Sequence, residues 1–236
     1  MMDYKFKYYH GTSDIFLESI RKHGLGGINP NFDFKNLEVL KFLYEKAEKV
    51  LPGTPRYDRW RKSIQAMVFQ TDLEIHHDNG KIEKFNYRHD GMYISLSRQR
   101  AVIYASLNKF GSEVLEACIV MITLLTERGV KIPIPSDIDL FGIEKYINAK
   151  PKPIIVEILD VADDDLEKED GKTAPEALNF IRSTLPFMTE ELRFECLQFC
   201  NFKTLKPIPP QNLRFYELEF EGHPKNEDFS FTLSRI

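Results

Sequence analysis

Three short motifs decide how this chain is interpreted: Tyr8-Tyr9-His10-Gly11-Thr12, Gly91-Met92-Tyr93-Ile94-Ser95 and Ala101-Val102-Ile103-Tyr104-Ala105. The first ends an alternating segment, residues 4–9, which predicts a short strand that delivers His10 at its end. The second motif is expected to be extended, and the third lies in a predicted helix from about Ser97 to Lys109. The first two motifs are far apart in the sequence, so only a folded chain can bring their side chains together.

The composition is that of a soluble globular protein. Of the 236 residues, 42% are hydrophobic and 29% are charged, with a formal net charge of -4 that argues against broad electrostatic binding of nucleic acid. No apolar run approaches the ~18–20 residues that span a bilayer, and the start lacks a signal-peptide pattern. We therefore expect a cytoplasmic protein without a membrane partner. Lys and Arg outnumber Asp and Glu in residues 1–110, so a local basic surface in this part of the chain remains an alternative.

The cysteines and histidines predict neither disulfides nor a metal site. Three cysteines cannot all pair, and none belongs to a Cys-x-x-Cys unit. The His76-His77 pair stands beside the turn-forming Asp78-Asn79-Gly80, and no Cys or Glu partner has ligand spacing. We interpret the pair as part of an exposed hairpin and expect no metal.

The remaining elements indicate a mixed α+β fold with strands at both ends of the chain and helices between. Helices are expected after Ser13 or Asp14, over the apolar repeats from Leu37 to Val50 and from Tyr57 to Met67, and over Pro175–Ser183; Glu113–Glu127 is either a helix or contains a buried strand. A hairpin is predicted across Asp72–Arg88, strands over Ile154–Leu159, Arg193–Phe199 and Leu213–Phe220, and a solvated acidic loop over Asp163–Gly171.

Together and in this order, the three motifs resemble the NAD-binding core of the ADP-ribosyltransferases of the His-Tyr-Glu type, the branch of diphtheria toxin and the poly-ADP-ribose polymerases. The resemblance covers roughly residues 1–28 and 89–220. It implies an α+β fold with a split β-sheet core, a single domain over 1–236, and a helical and hairpin insertion at about 30–88. It also implies that NAD is the co-substrate.

The resemblance assigns roles to the first motif. His10 would hydrogen-bond the adenosine ribose of NAD, as a side chain at the end of a strand can do. Gly11 would let the backbone approach the nicotinamide carboxamide, because it has no Cβ. Thr12 would hold the turn.

Two tyrosines would enclose the nicotinamide ring. Tyr104 follows Tyr93 by eleven residues, the interval that the resembled branch uses to place two rings. Ser95 shares a strand face with Tyr93 and would orient the site. The polymerases carry a serine eight residues after the first tyrosine where this chain has Ala101, so the carboxamide would depend on backbone groups.

A carboxylate is expected beneath the reacting ribose. In the resembled family it stands at the start of a late strand that a Pro-containing loop and one more strand follow. Glu195 fits that layout, because residues 208–213 supply the loop. Glu191 would share a strand face with Glu195 and is the alternative, with Glu190 close by.

The expected function is therefore NAD-dependent mono-ADP-ribosylation by a bacterial or phage-related toxin or defence effector, held in check by an antitoxin partner. The acceptor is either a nucleic acid or a protein, and Arg56–Lys62 is either a single-strand platform or an amphipathic helix packed through Tyr57 and Trp60. The alternatives are an RNA 2′-phosphotransferase, an NAD hydrolase, and an inactive binding module of the same fold.

Overall fold

The computed structural model of the protein describes residues 5–77, 80–168, 173–224 and 226–236, and it combines helices with β-strands as an α+β fold requires. The strands are β1 (Tyr8–Ser13), β2 (Asp72–His76), β3 (Ile82–Asn86), β4 (Met92–Ser95), β5 (Pro153–Ile158), β6 (Leu166–Lys168), β7 (Asn201–Thr204), β8 (Leu213–Glu221) and β9 (Ser230–Arg235). The helices are α1 (Leu17–His23), α2 (Pro30–Asp33), α3 (Asn36–Val50), α4 (Pro55–Phe69), α5 (Arg98–Leu107), α6 (Glu113–Glu127), α7 (Ala174–Thr184) and α8 (Glu190–Gln198).

The chain divides into two compact units. The first unit comprises Met1–Ile28, Gly91–Gly111 and Lys150–Ile236, and the second comprises Asn29–Asp90 and Ser112–Ala149. The first unit is built on a seven-stranded sheet in the order β6-β7-β4-β1-β5-β8-β9, whose neighbours are all antiparallel. None of the described helices is long and apolar enough to span a bilayer.

Both faces of the large sheet are covered. On one face, which we call the α5 face, Ile155 and Leu218 pack with the small buried side chains of α5. On the other, which we call the α7 face, the larger apolar cluster includes Ile94 and Val156 of the sheet and Leu178 of α7. Because side chains alternate along a strand and cross-strand partners share a face, the register assigns every sheet residue to one of these two sides.

The central strand β1 pairs much more extensively with one neighbour than with the other. β1 pairs with β5 along its whole length, from Tyr8 opposite Ile158 to Ser13 opposite Pro153. Within these fully described strands, β1 meets β4 at the pair Tyr9 and Ser95 alone. The sheet is therefore loosely joined between β1 and β4, at the place where His10 and Tyr93 stand.

The second unit is mainly helical. α3 packs against α6 and α4, and their apolar repeats bury Leu40, Leu43, Tyr57 and Leu115. β2 and β3 form a separate two-stranded sheet, so the predicted hairpin is confirmed; its turn at Asp78 and Asn79 lies outside the described residues. α6 is a helix throughout Glu113–Glu127, which settles the choice between helix and buried strand.

Three sequence predictions about secondary structure were wrong. The first strand covers Tyr8–Ser13 rather than residues 4–9, so His10 lies inside β1 and not at its end. The segment expected as a strand over Arg193–Phe199 is almost entirely helix α8. Thr189 caps its start by accepting a hydrogen bond from the Leu192 N–H, and two glutamates occupy the first turn, which stabilises a helix rather than a strand. The supposed solvated loop contains strand β6, which pairs Glu167 with Lys203.

Candidate functional site

His10 lies within β1, next to the point where β1 and β4 separate. Its register partner is Val156, which assigns the His10 side chain to the α7 face of the sheet. Its Nδ1 lies 2.8 Å from the Tyr93 carbonyl oxygen, which can only accept, so Nδ1 carries the proton. Desolvation lowers the pKa of His10 below its ordinary value of 6.5, against a smaller opposing effect of this hydrogen bond. The ring is therefore neutral at pH 7, and its Nε2 offers a lone pair that a hydroxyl group can bond.

Gly11 makes room for α5. A Cβ at this position would stand 2.3 Å from the Ala101 carbonyl oxygen and 3.0 Å from the Ala105 backbone nitrogen. The helix backbone thus lies directly on β1, closer than a side chain would permit. The observed use of this glycine is helix packing on the α5 face, and its expected contact with a ligand carboxamide stays a prediction.

Thr12 and Ser13 hold the segment that follows α5. The Thr12 hydroxyl donates to the Gly111 carbonyl at 3.4 Å, and Ser13 Oγ donates to the Phe110 carbonyl at 3.0 Å. Gly111 has a φ of +68°, and a Cβ there would meet the Ser13 nitrogen at 2.3 Å. The middle of α5 is therefore held by its close packing on Gly11, and its C-terminal end by the loop at Phe110 and Gly111.

Tyr93, Ser95 and Tyr104 come from β4 and the helix after it. Tyr93 and Ser95 alternate with the buried Ile94, so both belong to the α5 face, and Tyr93 is half-buried. Ser95 Oγ accepts a hydrogen bond from the Ser97 N–H at 3.1 Å, and Ser97 in turn caps α5. Tyr104 is half-buried on the flank of that helix. The sequence correctly placed the two tyrosines on a strand and the following helix, and their enclosure of a ring remains a prediction.

Glu195 does not stand at the start of a strand. It is exposed on α8, whereas Leu197 packs on the cluster of the α7 face. Residues two apart on a helix point about 200° from each other, so the Glu195 carboxylate is directed away from the sheet. Glu191 is exposed as well, and hydrogen bonds from its own N–H and from Thr189 lower the pKa of its carboxyl, which marks it as a helix-start residue. Glu190 lies in the same exposed first turn.

The late strand itself is β7, and it starts at Asn201. The Pro-containing segment 205–212 and β8 follow it, so β7, and not the segment around Glu195, has the late-strand layout that the resemblance implies. Asn201 pairs with Ser95 of β4 and is half-buried. Sequence analysis missed this residue, although the Thr189 cap with its acidic first turn was a signal that the preceding segment is helical.

Glu157 is a second residue that sequence analysis missed. It is buried on β5 beside Tyr9, accepts from Lys7 Nζ at 2.9 Å and from the Tyr216 hydroxyl at 3.1 Å, and lies 3.7 Å from Arg214. Burial disfavours its charge, but these donors outweigh burial and lower the pKa of Glu157 below 4.5. The arrangement suits a structural ion pair, because the carboxylate is already engaged.

No metal site is evident in the parts of the chain that the structure describes, which hold no group of three His, Cys, Asp or Glu side chains suited to an ion. His76 lies 3.9 Å from Glu74 at an exposed position of β2.

Comparisons with protein-family models, with curated proteins and with solved structures found no match for this chain.

Proposed function

We propose that the protein is an NAD-dependent mono-ADP-ribosyltransferase whose NAD site lies where β1 and β4 diverge. The observation that carries this proposal is the neutral His10 ring, whose Nδ1 is held by the Tyr93 carbonyl and whose Nε2 can accept from a ribose hydroxyl. A sheet that is loosely joined at this point supports the split core that the motifs imply.

The proposed ligand extends from His10 on the α7 face, past the point where β1 and β4 separate, to aromatic side chains on the α5 side. Tyr93 of β4 and Tyr104 of α5 supply half-buried aromatic rings. Stacking of a flat ligand ring on an aromatic side chain contributes roughly 0.5–1.5 kcal/mol to binding beyond the burial of apolar area. The rigid attachment of α5 to β1 through Gly11 fixes the position of Tyr104 in advance, which lowers the entropic cost of binding. Cleavage of the nicotinamide–ribose bond develops positive charge on the ribose, and preorganised polar groups must face that charge.

The acceptor is proposed to be a nucleic acid or a protein, in the setting of a cytoplasmic toxin or defence effector with an antitoxin partner. The Arg56–Lys62 segment lies in α4, where Tyr57 is fully buried and Arg56 and Arg61 form ion pairs with Glu127 and Glu48. These contacts favour the amphipathic-helix interpretation of the segment over a stacking platform, so they do not favour nucleic acid over protein.

A second candidate is a binding module that holds NAD without turning it over. The exposed position of Glu195, directed away from the sheet, favours it. An NAD hydrolase would use the same pocket with water as acceptor. An RNA 2′-phosphotransferase would need a histidine where Tyr93 stands and several arginines that bind the RNA phosphate.

The test is incubation of the purified protein with radiolabelled NAD and separate pools of RNA, single-stranded DNA and cell protein. Tyr93→Leu removes the ring but keeps an apolar side chain, and Tyr44→Leu is the matched control on α3 of the second unit. Label in one pool with wild type and Tyr44→Leu, but not with Tyr93→Leu, supports transfer and names the acceptor.

The other outcomes separate the alternatives. Nicotinamide release without labelled polymer indicates a hydrolase, and NAD binding without turnover indicates the binding module. Absence of NAD binding in isothermal titration calorimetry refutes the proposal, and 2′-phosphorylated RNA is then the next substrate.

A further inference from the structure

The register of β7, β4 and β1 brings three polar side chains into one row on the α5 face. Asn201 pairs with Ser95, and Ser95 pairs with Tyr9. Directly paired residues in antiparallel strands share a face with Cβ atoms about 4.5–5.5 Å apart. Asn201 is therefore a neighbour of Ser95, and it lies on the same side of the sheet as Tyr93.

The Asn201 side chain is available for a ligand. It is half-buried, and within the described residues its amide makes no hydrogen bond, whereas Ser95 Oγ is engaged by the Ser97 N–H. Partial burial removes water from an amide, and this costs free energy unless another water molecule or a ligand forms hydrogen bonds with it. Asn201 can both donate through Nδ2 and accept through Oδ1, which matches the paired hydroxyls of a ribose.

The nearby carboxylates do not compete for this role. Glu157 stands in the same row but beyond Tyr9, three strand spacings of about 4.8 Å from Asn201, and Lys7 and Tyr216 already bond it. Glu167 of β6 lies on the same face, one strand from Asn201, and Lys203 Nζ forms an ion pair with it at 3.2 Å. Glu195 is on the outer side of α8. The polar group next to Ser95 is thus a neutral amide.

We propose that Asn201, and not Glu195, contacts the reacting ribose of bound NAD, and that its lack of charge limits the rate of glycosidic cleavage. The inference rests on the proposed function. In the hydrolytic reaction, the nicotinamide–ribose bond breaks with its electron pair leaving on the nicotinamide nitrogen. A water oxygen then bonds the ribose carbon and releases its proton to solvent. An amide orients the ribose but offers no negative charge to the cationic transition state, whereas a carboxylate offers both.

The experiment exchanges amide for carboxylate without changing shape. NAD affinity is measured by isothermal titration calorimetry and nicotinamide release by chromatography, for wild type, Asn201→Asp and Asn201→Ala. Asn226→Asp, an exposed position between β8 and β9, is the matched control for added charge. Thermal unfolding verifies that each variant is folded.

We expect Asn201→Ala to weaken NAD binding by about 3–10-fold, the loss of one or two modest hydrogen bonds. Asn201→Asp should raise nicotinamide release at least about tenfold, since a carboxylate near the developing charge stabilises the transition state. Asn226→Asp should match wild type in both measurements.

A Glu195→Gln variant separates the two assignments. Loss of nicotinamide release in this variant, or wild-type affinity and release in both Asn201 variants, overturns the inference while leaving NAD binding established. Absence of NAD binding to the wild-type protein overturns both this inference and the proposed function.

Discussion

Substitution of Gly11 by alanine tests the close packing of α5 on β1. The added Cβ would lie 2.3 Å from the Ala101 carbonyl oxygen, although real Cβ atoms keep at least 3.0 Å from such an atom. The helix backbone must therefore retreat by about 0.7 Å or more, because a main-chain carbonyl inside a helix cannot rotate away. Overpacking of this kind costs about 1–3 kcal/mol. At ~2–4 °C per kcal/mol for a chain of this size, Tm should fall by roughly 2–12 °C.

The matched control is Gly91→Ala. Its Cβ would meet Lys203 Cγ and Cδ at 2.7 Å, which are atoms of a flexible side chain that can shift at small cost. The assay is urea and thermal unfolding of both variants, followed by NAD titration of the folded proteins. Gly11→Ala should unfold earlier than Gly91→Ala and bind NAD more weakly, since Tyr104 moves with α5. Equal stability of the two variants would refute the packing argument.

Three further predictions concern single titratable groups. Because the pKa of His10 is lowered in the folded chain, the unfolded chain binds the proton more tightly, so stability should stay level from pH 8 to about 6.5 and fall at lower pH. NAD affinity follows the lowered pKa of His10 in the folded chain, so it should begin to fall only at a lower pH than stability does. Both dependences should be lost in His10→Gln, as calorimetry can measure. Glu157→Gln should cost about 1–2 kcal/mol at pH 7, and this difference should vanish as pH falls below 4.5 towards the lowered pKa of Glu157, in urea unfolding at several pH values. Burial raises the pKa of the Cys118 thiol, so a thiol reagent at pH 8 should modify Cys118 only after denaturation, which peptide mass spectrometry can follow; rapid labelling of the native protein would contradict its position in the core.

Local patterns predicted most of the secondary structure, because the segments concerned carry one dominant signal. The apolar run of Glu113–Glu127 forms α6. The mostly apolar residues 154–158 fall in β5, and the roughly alternating residues 213–220 fall in β8. A strand was wrongly predicted over 193–199 because the polar and apolar residues of this segment roughly alternate, as they do in a strand. The cap at Thr189 and the packing of Leu197 against the core decided for a helix.

The candidate site was predicted only in its local parts. The placement of His10 and Tyr93 on strands and of Tyr104 on the helix that follows Tyr93 was predicted from short motifs. That Asn201 lies beside Ser95 could not be predicted in this way, because the pairing of β7 with β4 joins residues more than a hundred positions apart. A shift of one residue in this pairing would change which side chain faces the site. The membership of α6 in the second unit likewise has no local signal, since an apolar helix can pack on any apolar surface.

The central position of β1 has a consequence for synthesis of the protein on the ribosome. The strand is made first, yet the partner that binds its whole length, β5, lies 150 residues further along, as the contact of Lys7 with Glu157 shows. At ~5–20 residues per second, β1 waits roughly 8–30 s for that partner. During this interval its unpaired edges and the apolar face around Tyr8 are exposed to the cell, so the nascent chain should depend on chaperones until β5 has emerged.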